Sequence, residues 1–114
     1  MSCDPADRLA GAPERVVIIG AGAIGSLLAA LLSSAGSEVV LVDRHAIDGD
    51  PGSAVTVVEP SGRRVTARVH RVTSTSAVCD DPDLAILAVK IHDVEAALPA
   101  LSRWPHLPVL TVQN

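Results

Sequence analysis

The chain has 114 residues, enough for one domain around a single core. Its net charge of −4 excludes a nucleic-acid-binding face, which needs clustered positive charge. With one Trp and no Phe or Tyr, base-stacking platforms are excluded too, and the core must come from Ala, Val, Leu and Ile.

Residues 1–14 read as a flexible lead-in, rich in proline and charge and without the apolar stretch of a secretory signal. The longest apolar run, Leu27 to Leu32, is far shorter than the ~20 residues that span a bilayer. Cys3 and Cys79 have neither a CxxC partner nor a histidine at ligand spacing, which points to a reducing compartment. The expectation is a cytoplasmic protein without a membrane or nucleic-acid partner.

Val16 to Ile19 is a continuous β-branched run ending in Gly20, the pattern of a strand buried on both faces of a parallel sheet. Ala23 to Ala35 is rich in Ala and Leu and free of proline, so a helix is expected. Its inner stripe would be Ile24, Leu27, Leu28, Leu31 and Leu32, and Gly36 would stop it. Glu38 to Val42 is a second strand, closing a βαβ unit. The Asp48–Ser53 stretch breaks regular structure and leaves only Arg44 to Ile47 for a short or absent helix. Val55–Val58 and Arg64–Val72 are expected to pair as a hairpin about Pro60-Ser61-Gly62, antiparallel or at the sheet edge. Leu84 to Val89 reads as another central parallel strand. His92 to Arg103 reads as a helix capped by Asp93, with Val94, Ala97, Leu98 and Leu101 inward and Pro99 as a kink or tightened last turn. Leu107 to Val112 is a last strand.

Gly20-x-Gly22-x-x-Gly25 thus follows a strand and opens a helix. The first glycine permits a tight turn, the second lets the backbone approach a pyrophosphate, and the third lets helix pack on strand. Amide groups at the helix start, aided by the helix dipole, face phosphate oxygens. The expected cofactor cradle is Gly20, Ala21, Gly22, Ala23, Ile24 and Gly25. Asp43 lies 18 residues beyond Gly25, where an acidic residue holds the adenosine ribose 2′-hydroxyl of NAD(H). Arg44 beside it suits the 2′-phosphate of NADP(H), so both cofactors stay open. Lys90 follows the strand Leu84 to Val89, and Asn114 follows Leu107 to Val112. Ligands of open α/β sheets bind outside the carboxyl ends of the strands, where Gly20, Asp43, Lys90 and Asn114 would converge.

Other features carry less chemistry. Arg63, Arg64, Arg68, His70 and Arg71 read as a solvated hairpin edge that blocks strand addition. His45, His92 and His106 lack metal-ligand spacing. Trp104 reads as a packing residue. No nucleophile system of the Ser/His/Asp or Cys/His kind is evident.

Three blocks carry a family resemblance: Val17-Ile18-Ile19-Gly20-Ala21-Gly22-Ala23-Ile24-Gly25-Ser26, then Leu87-Ala88-Val89-Lys90, then Val112-Gln113-Asn114. In order and separation they resemble the N-terminal domain of ketopantoate reductases (2-dehydropantoate 2-reductases), over nearly the whole chain after Glu14. Many dehydrogenases share the first block; the other two are more discriminating. The resemblance implies a Rossmann-type α/β domain, residues 15–114, with a mostly parallel sheet and a β-hairpin insertion. It also implies NADPH-dependent reduction of 2-dehydropantoate to pantoate, on the route to pantothenate and coenzyme A. Arg44 would lie near the adenosine phosphate. Lys90 and Asn114 would line the nicotinamide side, Asn114 also touching the 2-oxo acid substrate. The family's proton-donor lysine belongs to a helical C-terminal domain, so this chain is expected to be the cofactor-binding portion, truncated before that domain. On this reading it has no catalytic residue of its own and is inactive alone, while the full-length form admits a homodimer. The alternatives are a non-catalytic NAD(P)-binding module and a reductase of another 2-oxo or hydroxy acid.

Overall fold

The computed structural model describes residues 13–44 and 54–112. Among these residues five parallel strands form the central sheet: β1 (Arg15–Ile19), β2 (Glu38–Val42), β5 (His70–Val72), β6 (Leu84–Leu87) and β7 (Val109–Thr111). Their spatial order is β5-β2-β1-β6-β7, so the direction of winding reverses between β1 and β6. Val17 pairs with Val40 on one side and Ala85 on the other. Strands β3 (Ala54–Val58) and β4 (Arg64–Arg68) make a separate antiparallel pair.

The β-branched run of β1 is buried on both faces. Val16 and Ile18 join a core with Leu41, Ile86 and the helix α1 (Ala23–Ser34), while Val17 and Ile19 join a second core with Val72, Val78, Leu87 and Trp104. The hairpin packs on the α1 side through Val55 and Ala67. Helix α1 ends as its glycine requires: Gly36 has φ +100°, Ser37 N–H donates to Leu32 O (3.0 Å) and Gly36 N–H to Ser33 O (3.1 Å). The buried Ser37 hydroxyl donates to Pro13 O (2.6 Å) and Glu38 N–H donates to Glu14 O (2.8 Å), which ties Pro13 and Glu14 to β2.

Several expectations change. The inner face of α1 is built from Gly25, Ala29 and Ala30, flanked by Leu28 and Leu32, whereas Leu27 and Leu31 are exposed. Small residues let the helix backbone approach the sheet, and the larger leucines are displaced to its sides. The stretch Arg64–Val72 is two strands: β4 pairs with β3, but β5 leaves the hairpin and runs parallel to β2. The helix expected over His92–Arg103 is only α2 (Val94–Ala97), between 3₁₀ turns at Ile91–Asp93 and Leu98–Leu101. Pro99 cannot donate the i→i−4 bond that would continue α2. The Asp93 side chain caps nothing and instead meets His92 Nε2 at 3.4 Å. Leu101 is buried and Val94, Ala97 and Ala100 pack against the core, while Leu98 is exposed. Trp104 is buried, and its indole N–H donates to Asp81 Oδ1 (3.1 Å).

Among the described residues no helix is long and apolar enough to cross a membrane.

Candidate functional site

The carboxyl end of β1 is held between its neighbours. Gly20 N–H donates to Val42 O (3.1 Å) at the end of β2, and Ala88 N–H donates to Ile19 O (2.8 Å) at the end of β6. The loop Gly20–Gly25 therefore sits at the point where the strand order reverses, the place where open α/β sheets take ligands.

The three glycines meet different surroundings. Gly20 has φ +112°, and a Cβ there would lie 2.6 Å from Ala88 O. At Gly25 a Cβ would lie 1.9 Å from Gly20 O, so helix and loop touch through backbone alone. At Gly22 an added Cβ would have no atom within 4 Å. Two glycines thus make the turn compact, and the third leaves open space in front of the helix.

Gly22 is the N-cap of α1; it has no side chain with which to cap the helix, and the first turn holds no acidic residue. The helix's first amides point out along the axis and need an acceptor. Ser26 Oγ donates to Ala21 O (3.1 Å) and braces the loop from within the helix. A 12-residue helix with an uncapped, side-chain-free start offers amide donors and a positive dipole end to an anion. A pyrophosphate fits this cradle.

The other sequence-derived positions fall around the same edge. Asp43 directly follows β2, and its N–H donates to Val72 O (2.8 Å) of β5. Arg44 is exposed beside it. Lys90 is exposed two residues past Ala88, the residue against which Gly20 packs, and its carbonyl accepts from Asp93 N–H (2.8 Å). Val112 N–H donates to Leu87 O (3.0 Å), bringing the end of β7 beside that of β6. Asn114 lies outside the described residues, as does His45.

Two residues escaped the sequence reading. Ser26 stood at the end of the first resemblance block without a role of its own. Arg71 was grouped with the exposed hairpin cations, yet its Nη1 donates to Asp43 Oδ2 at 2.9 Å, with both side chains largely buried. The signal was present: Val65, Ala67 and Val69 alternate, then the period slips by one at His70-Arg71 before the buried Val72. That slip marks where the chain leaves one sheet for another.

The opposite edge is different in character. A cavity of about 280 Å³ opens at the amino ends of β1, β2 and β5, lined by Arg15, Val17, Glu38, His70, Val78 and Cys79. Burial opposes the charge of Arg15 there, but Asp80, Glu38 and Glu14 outweigh it and raise the guanidinium pKa. Among the described residues that line this cavity there is no glycine and no first turn of an α-helix, so it lacks the backbone-amide cradle of the carboxyl edge. No group of His, Cys, Asp and Glu among the described residues could hold a metal ion.

The family model for ketopantoate reductase PanE/ApbA matches residues 16–114. A 2-dehydropantoate 2-reductase of Pyrococcus abyssi is 33% identical over 108 residues, covering 88% of this chain and 33% of that protein. The crystal structure of a PanE/ApbA family ketopantoate reductase from Ralstonia eutropha superposes with a TM-score of 0.67 at 31% identity, covering 88% of this chain and 34% of the other. A glutamyl-tRNA reductase of Frankia casuarinae is 38% identical over 98 residues, covering 82% of this chain but 20% of that enzyme. The chain spans about a third of the length of the 2-dehydropantoate 2-reductases it matches. The strand order, the glycine turn and a family match running from Val16 to Asn114 agree: the chain belongs to the ketopantoate reductase PanE/ApbA family.

Proposed function

We propose that the chain is the nucleotide-binding part of an NADPH-dependent reductase that converts 2-dehydropantoate to pantoate. The carrying observation is the contrast within the glycine turn: Gly20 and Gly25 are packed against backbone, while Gly22 opens onto free space at an uncapped helix start.

In this reading the amides of Gly22 to Gly25 bind the pyrophosphate, and Ser26 keeps the loop in register through Ala21 O. Asp43 and Arg44 address the adenosine ribose. Lys90 offers a point charge or donor on the nicotinamide side, and Asn114 touches both nicotinamide and the 2-oxo acid. When bound, the nicotinamide supplies a hydride for the substrate ketone. We place the proton donor in the family's C-terminal domain and assign none to these residues. A glutamyl-tRNA reductase also resembles the chain over 98 residues, so this stretch of sequence is not confined to proteins named for one substrate. The family alone points to the substrate, whereas the geometry of the glycine turn also points to the nucleotide.

Titration with NADPH and NADH, followed by the reduced nicotinamide's fluorescence, tests the reading. Saturable binding that weakens when Gly22 is replaced by valine is expected. No saturable binding of either nucleotide contradicts it.

A further inference from the structure

We infer that Arg71 sets the nucleotide preference of this site by holding and neutralising the Asp43 carboxylate, so that the adenosine end accepts a 2′-phosphorylated nucleotide. The inference rests on the nucleotide reading above and extends it to a residue outside the glycine turn.

The geometry comes from strand register. Leu41 of β2 pairs with Arg71 of β5, and partners in a parallel ladder point to the same side. Leu41 is buried against α1, so Arg71 and Asp43, two residues beyond Leu41, share the α1 side of the sheet. The guanidinium then reaches diagonally to Asp43 Oδ2 at 2.9 Å. The side chains are 25% and 17% exposed, so water screens the pair only partly.

Charge decides the consequence. An uncompensated carboxylate at the end of β2 accepts a ribose hydroxyl and repels a phosphate. The Arg71 guanidinium offsets the Asp43 carboxylate, and the adjacent exposed Arg44 adds a positive charge at the same strand end. A phosphate is attracted to such a site, and the carboxylate's lone pairs are partly committed to Arg71 instead of the ribose. The sequence conflict between Asp43 and Arg44 is thereby resolved by a third residue that lies 28 positions after Asp43. Arg71 acts through Asp43 and is a positioning residue.

The test is the ratio of NADPH to NADH dissociation constants in wild type, Arg71→Met, Arg71→Lys, Asp43→Asn and the Asp43→Asn/Arg71→Met pair. Wild type should favour NADPH. Arg71→Met should weaken NADPH by about tenfold or more while NADH stays within about threefold, because the guanidinium that offsets the carboxylate beside the phosphate is removed. Arg71→Lys should recover most of the ratio. Adding Asp43→Asn to Arg71→Met should restore NADPH binding, because the repelling charge is gone. Asp43→Asn alone should raise the NADPH preference, which keeps the test decisive if Arg71→Met does not fold. Equal loss of both nucleotides in Arg71→Met, with no recovery in the double variant, would mean a structural role and overturn the inference while leaving the site intact. A wild type that prefers NADH also overturns it. A wild type that binds neither nucleotide overturns the nucleotide reading and this inference together.

Discussion

Substituting alanine separately at Gly25 and Gly22 should split stability from binding. At Gly25 the new methyl would sit 1.9 Å from Gly20 O, more than an ångström inside the 3.0 Å that real Cβ atoms keep. The obstacle is a backbone oxygen, and Gly20 is itself packed on Ala88 O, so neither side can yield cheaply. Alanine gains about 1 kcal/mol of helix propensity over glycine, but overpacking of this kind costs about 3 kcal/mol or more. The net loss of about 2 kcal/mol corresponds to a fall in Tm of about 8 °C or more for a domain of this size. Gly22→Ala meets nothing within 4 Å and its φ of −73° suits any residue, so Tm should hold. Its methyl instead occupies the approach of the phosphate. Weakened amide contacts to a charged group, worth about 1.5–3 kcal/mol, give roughly 10- to 100-fold weaker NADPH binding. Thermal unfolding by circular dichroism and fluorescence titration measure the two quantities. An unchanged Tm for Gly25→Ala, or an unchanged NADPH affinity for Gly22→Ala, refutes the corresponding assignment.

Other perturbations probe the remaining contacts. Ser26→Ala removes the brace on Ala21 O and should weaken NADPH by about fivefold, as loss of one hydrogen bond of about 1 kcal/mol implies, with no recovery in high salt; unchanged affinity in the same titration removes Ser26 from the site. Trp104→Ala empties a buried position and unpairs Asp81, and urea unfolding should show a loss of about 3–5 kcal/mol; a loss under about 1 kcal/mol contradicts the packing. Leu31→Gln replaces a side chain that is 52% exposed and should change stability by no more than about 0.5 kcal/mol, whereas a core leucine would cost several times that in the same experiment.

The parts of the fold legible in the sequence were those dictated by local rules. β1 and β6 were recognisable because strands buried on both faces need uninterrupted apolar runs, and both have them. The end of α1 followed from Gly36, whose backbone requirement is local. Orientation was harder. Leu27 and Leu31 have perfect helical spacing, yet the sheet contact goes to Gly25, Ala29 and Ala30, because closeness of backbones and not side-chain size decides that face. The segment after Ile91 carries helix-forming residues, but Pro99 cannot donate the next helical bond and Asp93 makes no cap, and only short turns form. The slip in alternation at His70-Arg71 marks a change of sheet, but the Arg71–Asp43 pair depended on which strand β5 then joined, a tertiary event that the spacing does not announce. The same holds for the candidate site: the glycine turn and the strand-end positions could be read one by one, while the ion-pair partner of Asp43 was grouped with the hairpin cations.

Backbone amide NMR of the chain titrated with NADPH tests the central claim most directly. Saturable shifts should be largest at Gly20 to Ser26, with further shifts at Asp43, Arg44 and Arg71, and little change around Arg15, Glu38 and Cys79 at the opposite cavity. The absence of saturable shifts, or shifts centred on that cavity, would contradict the assignment of the glycine turn as the nucleotide cradle.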